Sequence, residues 1–170
     1  MVIGGLDVGS TGCKIVLYDE NAALIHADYR EYAAVHAGGR HEIHMGDIRT
    51  GVLELLRRAA KAYHVDALGV TSFGETFVML DETDTVLAPS MLYTDPRGAE
   101  ECVDLCAAVG ENKLTLLSGV RPHPMYSIAK LLWMKRHHPE IYARCRRILL
   151  GEDFIVYTLT GNPQMDYSLA

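Results

Sequence analysis

The sequence lacks any apolar run approaching the ~20 residues that a membrane-spanning helix needs. From Met1 it passes directly into a strand pattern, without the charged and apolar blocks of a signal peptide. The expectation is a cytoplasmic protein with no membrane partner. A basic stripe is also missing: sixteen Lys and Arg stand against 22 Asp and Glu, a formal charge of −6. Such a balance does not attract phosphate backbones, so nucleic acid is not an expected partner. The four cysteines show no CxxC pairing. Cys102 and Cys106 stand one helical turn apart and read as packing residues rather than ligands. His36, His41 and His44 cluster in a Gly-containing stretch with none of the common zinc spacings, which predicts a solvated loop. Repeats, linkers and low-complexity tracts are absent too. What remains is a chain of 170 residues, 49% hydrophobic, long enough for one domain with a real core.

Val2 to Asp7, Cys13 to Asp19 and Leu24 to Tyr32 are short apolar or alternating runs separated by "GST" and "ENA", the pattern of an antiparallel meander. From Asp47 on, Ile48, Val52, Leu55, Ala59 and Ala62 recur at helical spacing with Arg57, Arg58 and Lys61 on other faces. This predicts an amphipathic helix ending near His64. Ala67 to Phe73 is mostly apolar without alternation, as expected of a strand covered on both faces. Parallel pairing with the opening sheet makes the preceding helix its crossover. Phe77 to Leu80 and the residues around Val86 read as a hairpin about "DETD", and Gly98 to Val109 as a helix closed by Gly110. Tyr126 to His137 carries Ile128, Leu131, Leu132 and Lys135 in helical register; Pro139 ends that helix or opens a short new turn. Arg147 to Leu150 reads as a strand, and Glu152 to Thr160 as a helix capped by Gly161.

Between the first two strands lies "GLDVGSTGCKIVLYDE", residues 5 to 20. A strand ends in Asp7, Gly9 permits a backbone with positive φ, and Ser10 and Thr11 bring hydroxyls beside backbone N–H groups. Successive N–H groups in such a turn form an anion-binding concavity, and a carboxylate at its edge can hold Mg²⁺ through water. Lys14 adds charge near the same phosphates. The stretch is not a Walker A loop, since "GxxxxGK[ST]" is absent and a strand follows the turn. On these residues alone two readings stand: a phosphate cradle, or a hairpin whose small polar residues serve turn geometry.

A "GLDVGST" turn near the start, followed by a meander, a helix and a strand, resembles the actin-like ATPase superfamily. "EIHMGDIRTGVLELL", "GVTSFGETFVMLDETDTVLAPSMLYTDPRG", "YSIAKLLWMKRHHPE" and "LLGEDFIVYTLTGNPQMDYSLA" are similar, in order and spacing, to the N-terminal segments of FGGY-family carbohydrate kinases such as xylulokinase and glycerol kinase. The resemblance implies an α/β, ribonuclease H-like domain with a mixed sheet opening in an antiparallel meander and helices on both faces. It also implies ATP and Mg²⁺ as cofactors and a small sugar or polyol as substrate. Asp7 then belongs to the magnesium site, and Gly9, Ser10, Thr11 and Lys14 to the phosphate-facing turn. The family's sugar contacts map onto Gly74, Glu75, Asp95 and Tyr126. Each of these has a plainer reading beside it: Glu75 as a surface acid in a turn, Asp95 as a turn cap before Pro96 with Arg97 a surface charge, and Tyr126 as the first apolar residue of a core-facing helix.

Several positions depart from the resembled family. Glycerol kinases carry Arg–Glu, and xylulokinases Met–His, where this chain has Gly74–Glu75. Tyr93 stands where many members have Trp, and His44–Met45 replace an Asp–Pro at a capping position. By the same resemblance no catalytic residue falls within residues 1–170: the family's catalytic aspartate is expected beyond Ala170, and so are its adenosine-binding glycines. Residues 1–170 are therefore expected to be an incomplete sugar-binding domain of a kinase acting on a pentulose, a hexulose or another polyol. The alternative is a non-catalytic ligand-binding or subunit-interaction module. Truncation is expected to leave an apolar face open and to favour a homo-oligomer, with the terminal "MDYSLA" reordered.

Overall fold

The computed structural model describes residues 1–165. In chain order they form β1 (Ile3–Val8), β2 (Gly12–Tyr18), β3 (Leu24–Glu31), β4 (Val35–Ala37), β5 (Arg40–Ile43), α1 (Met45–Ala62), β6 (Ala67–Ser72) and β7 (Phe77–Leu80). There follow β8 (Ser90–Met91), α2 (Ala99–Val109), α3 (Glu111–Ser118), α4 (Ser127–His137), α5 (Pro139–Arg144), β9 (Arg147–Leu150) and α6 (Gly151–Thr160). The chain divides into two compact units, one made of Met1–Ala34, Ile43–Gly74 and the segment from Leu149 on, the other of Val35–Glu42 and Glu75–Ile148. No helix among the described residues is long and apolar enough to cross a membrane.

The first unit is built on a four-stranded sheet ordered β3-β2-β1-β6. β1 runs antiparallel to β2 and parallel to β6, and β2 runs antiparallel to β3. The expected meander is therefore present, with α1 as the crossover to the parallel strand. The period of two along each strand sorts the side chains: Leu6, Val8, Cys13, Ile15 and Leu17 are buried, while Ile3, Asp7, Lys14 and Tyr18 are exposed on the opposite face. α1 turns Ile48, Val52, Leu55 and Ala59 inward at spacings of three and four, and a Cβ on its Gly51 would lie 3.5 Å from Cys13 Sγ. Ile48, Val52 and Leu55 each contribute about 1.5–3 kcal/mol on leaving water. α6 packs on the same face: its Gly151 lies against Ser72, and the guanidinium of Arg49 sits 5.9 Å from the centre of the buried Phe154 ring.

α1 and α6 share one face of this sheet, and the other is open to solvent among the described residues. One expectation is corrected here. β6 was expected to be covered on both faces, yet Ala67, Gly69 and Thr71 are exposed in alternation with Leu68, Val70 and Ser72. The outward residues are small, so the run reads as apolar by residue type although half of it has little surface to bury. His44 provides no side-chain cap to α1, whose first residue, Met45, is fully buried.

The second unit contains a three-stranded sheet ordered β4-β5-β8, together with β7 and helices α2 to α5. The stretch holding His36 and His41, expected as a solvated loop, is instead a hairpin with His36 opposite His41. Its turn is Gly38–Gly39, both at positive φ, the signal that the polar flanks concealed. The expected "DETD" hairpin is present: Leu80 bridges Val86 antiparallel, and Asp81 Oδ1 accepts the Thr83 and Thr85 N–H groups at 2.9 and 3.0 Å. α3 has no counterpart in the sequence reading because its leucines face water, Leu116 being 86% exposed and Leu117 75%. Pro139 opens α5 at its first turn. All four cysteines are free; Cys13 and Cys102 are buried, Cys106 and Cys145 partly so. The expected reordering of "MDYSLA" falls, beyond Met165, outside the described residues. So does Ala170, the position past which the catalytic aspartate is expected, and the structure describes nothing of that boundary.

The start of α2 comes unusually close to α4. Gly98, at φ +94°, lies where a Cβ would be 2.9 Å from the Ala129 carbonyl carbon and 3.0 Å from the Lys130 nitrogen. Gly119, at φ +75°, has nothing within 4 Å of the same position. Gly119→Ala is expected to cost only the left-handed strain, about 1–2 kcal/mol. Gly98→Ala adds a backbone collision and is expected to cost about 3 kcal/mol or more. Denaturant midpoints of the two variants measure the difference, and equal losses would show that the close approach carries no energy.

Candidate functional site

In the first unit, β1 and β2 meet in a turn where the Gly9 N–H donates to the Gly12 carbonyl at 2.9 Å. Tyr32 braces it twice: its N–H donates to the Thr11 carbonyl at 3.2 Å and its phenol to the Gly9 carbonyl at 2.6 Å. Burial, more than the neighbouring Cys13, Tyr29 and Asp7, pushes the Tyr32 phenol well above its ordinary value and keeps it a donor. These bonds leave the N–H groups and hydroxyls of Ser10 and Thr11 without a protein partner among the described residues. Asp7 and Lys14 are cross-strand neighbours, both exposed. Tyr29, Lys14, Asp7 and Thr71 form one row across the open face of the sheet.

The donor set fits a magnesium-bound phosphate. Adjacent free amides suit phosphate oxygens, and a single exposed carboxylate suits a cation that keeps most of its waters. Gly9, however, does not adopt the positive φ expected of it. The glycine this turn requires is Gly12, where a Cβ would fall 2.2 Å from Tyr29 Oη and 2.8 Å from the Arg30 carbonyl. Gly12 and Tyr32 were missed because their partners come from another part of the chain, and no local pattern announces them.

Gly74 ends the first unit and Glu75 opens the second, in a bend between β6 and β7. The half-buried Glu75 carboxylate has no hydrogen bond or ion pair among the described residues, whereas its main-chain carbonyl accepts the Ser127 hydroxyl at 2.6 Å. Ser127 is the first residue of α4 and Tyr126 is its N-cap. Glu75 and Tyr126 are thus brought together through Ser127.

Asp95 occupies a different environment. Its side chain is wholly enclosed. Oδ1 accepts Arg97 N at 3.0 Å and Nε at 2.8 Å, and Oδ2 accepts Arg97 Nη2 and the His41 N–H, each at 2.7 Å. A carboxylate offers about four lone-pair sites, and here each has its donor. What the turn shows outward is Tyr93, 56% exposed, and Thr94, whose hydroxyl shares a hydrogen bond with His41 Nδ1 at 2.9 Å. Burial acts to raise the Asp95 carboxyl, but the Arg97 guanidinium and the two main-chain donors outweigh it, so the group titrates below its ordinary value. Arg97 is no surface charge: it also reaches Glu42 at 2.6 Å and lies over the Trp133 ring at 4.9 Å.

Beneath this turn lies Lys130, fully buried, whose Nζ donates to the carbonyls of Asp95 at 2.8 Å, Pro124 at 2.9 Å and Arg97 at 3.3 Å. Burial lowers its ammonium below the ordinary value, against the pull of Asp95. The sequence reading missed it and set the inward face of α4 one residue off. The buried residues are Ala129, Lys130 and Met134, while Ile128 is 53% exposed.

A family model described as the FGGY family of carbohydrate kinases, N-terminal domain, matches residues 2–170. The xylulose kinase of Escherichia coli (strain K12) is 29% identical over 171 residues, covering 96% of this chain and 34% of that protein. The xylulose kinase of Staphylococcus xylosus is 28% identical over 162 residues, covering 93% of this chain and 34% of that protein. A solved ligand-bound xylulose kinase from Lactobacillus acidophilus matches with a TM-score of 0.86 at 25% identity, over 95% of this chain and 34% of that one. The chain spans about a third of the length of these relatives. Its α/β architecture is the ribonuclease H-like fold of the actin-like ATPase superfamily, as the resemblance implied.

The lowered Asp95 carboxyl has a consequence for acid stability. The unfolded chain takes up a proton at the ordinary value, and the folded chain only below it. The stabilisation is therefore complete above about pH 4 and is lost as the pH falls through the folded value. Asp95→Asn is expected to cost about 3–5 kcal/mol at neutral pH by leaving Arg97 underpaired, and to flatten the loss of stability between neutral pH and acid. Denaturant titrations across that range measure both effects; an unchanged slope in the variant would remove Asp95 from the acid response.

Proposed function

Because this chain belongs to the FGGY family of carbohydrate kinases, we propose that the protein carrying it transfers a phosphoryl group from ATP to a hydroxyl of a sugar. A ketose such as a pentulose is the leading acceptor, with glycerol-like polyols behind it. In this reading residues 1–170 supply most of the acceptor-binding domain and the first phosphate-facing turn, and the nucleotide domain and catalytic aspartate lie in further sequence beyond Ala170. The observation that carries it is the free Glu75 carboxylate on a loop pinned through its own carbonyl, in a chain matched to this family over nearly its full length.

ATP and Mg²⁺, when bound, supply the transferable group and offset its charge. Asp7 would hold the metal through water. The Ser10 and Thr11 amides, with Lys14 nearby and Gly9 closing the turn, would face phosphate oxygens. Glu75 accepts hydrogen bonds from two adjacent hydroxyls and so reads their stereochemistry. Gly74, which has no side chain, and Tyr126, the N-cap of α4, would complete the acceptor contacts. Asp95 contributes by holding the Tyr93–Thr94 turn rather than by touching the sugar.

Two substitutions in the complete protein separate the roles. Glu75→Gln removes a charge-assisted hydrogen bond of about 1.5–3 kcal/mol and is expected to weaken sugar binding about ten- to a hundredfold, with ATP affinity unchanged. Asp7→Ala is expected to lower turnover by about a hundredfold or more and to leave sugar binding intact by calorimetry. If Glu75→Gln keeps the parental ranking and efficiency over a panel of ketoses and polyols, Glu75 is only a turn residue. If Asp7→Ala loses sugar binding and turnover equally, its role is structural. Residues 1–170 alone are expected to show no sugar-dependent ATP turnover.

A further inference from the structure

We infer that Lys130 is a positioning residue for the acceptor site, and that together with Ser127 it makes the first turns of α4 a common anchor for the two loops assigned to the sugar. The inference rests on the functional reading above. Its basis is the direction of the bonds. Ser127 donates to the Glu75 carbonyl at 2.6 Å, and Lys130, one helical turn on, donates to the carbonyls of Asp95, Arg97 and Pro124 at 2.8, 3.3 and 2.9 Å. Every acceptor is a main-chain oxygen, so the two side chains set the course of the backbone and leave the side chains of residues 75, 93 and 94 to meet a ligand.

Lys130 has no exposed surface, so its ammonium reaches no substrate and acts only through the backbone it holds. Its reach accounts for the close approach at Gly98, where a Cβ would lie 2.9–3.1 Å from the α4 backbone at Ala129 and Lys130. The Pro124 carbonyl ties in the segment leading to Tyr126, so the backbone at Glu75, at Asp95 and just before Tyr126 is held from two positions, 127 and 130, of one helix.

The test uses the complete protein with D-xylulose and ATP, comparing Ser127→Ala and Lys130→Met with the parent by steady-state kinetics and thermal unfolding. Ser127→Ala is expected to fold and to raise the KM for the sugar about tenfold, with the KM for ATP unchanged. Lys130→Met, which leaves three buried carbonyls unmet, is expected to raise it further. Ser127→Thr, which keeps the hydroxyl, is expected to restore the parental sugar KM. If Lys130→Met does not fold, the alanine and threonine variants decide. A sugar-dependent parent whose folded variants keep its sugar KM, or lose sugar and ATP affinity alike, overturns the inference alone. A parent with no sugar-dependent turnover over the ketose and polyol panel overturns the functional reading and this inference with it.

Discussion

A lysine ammonium shut away from water gives up its hydration, a loss of several kcal/mol in a protein interior, and holds only where oxygens surround it. Lys130 meets that demand with three main-chain carbonyls. Two of those carbonyls belong to Asp95 and Arg97, whose side chains pair with each other, and Arg97 draws in Glu42 as well. The cluster thus sets two cations against two carboxylates, and removing any one member leaves a charge without its counterpart in a largely enclosed place. Gly98 follows from the same demand. For the 95–97 carbonyls to reach Nζ, the chain must pass so near the α4 backbone that no Cβ fits at the crossing.

The first unit solves the opposite problem, keeping polar groups unpaired and yet in place. Main-chain amides without partners are tolerated where water can reach them. The turn between β1 and β2 leaves the Ser10 and Thr11 amides in that condition and braces the carbonyls of Gly9, Thr11 and Gly12 around them. Gly9 closes against Gly12, and Tyr32 holds two carbonyls from the far side of β3. A turn ordered before any ligand arrives loses less entropy on binding one, and a phenol that burial keeps protonated is a dependable brace.

How much of this was legible in the sequence depends on where each cause lies. The strands of the meander, α1, α2, α4 and α6 carry their own periodicity or caps, so a local reading finds them. Asp7 through Lys14 and Glu75 announce themselves as polar residues at strand ends, where the chain must turn. Lys130 does not. In "SIAKLLWMK" a lysine among leucines looks like the wet side of a helix, and only the carbonyls of residues 95, 97 and 124 reveal that it points inward. The openness of one sheet face was hidden for a related reason: Ala67 and Gly69 count as apolar by type while having almost nothing to bury. The Asp95 carboxylate was legible as important but not as enclosed, because its donors include the N–H of His41 from a hairpin that the polar flanks of Gly38–Gly39 disguised.

The bonds that hold these two loops are therefore made by different atoms of their residues. At Glu75 the bond that fixes the loop is accepted by the carbonyl, which every amino acid possesses, so the side chain at that position is free to change without moving the backbone. At Asp95, Arg97 and Lys130 the bonds that fix the loop belong to the side chains, and no other residue type reproduces their charge and reach together. Substitution in this unit is thus cheap at residue 75 and costly at 95, 97 and 130. Under the function proposed above, that asymmetry would let residue 75 differ from its counterparts in the resembled kinases: a different side chain would alter which hydroxyls are met, on a loop still pinned through its carbonyl.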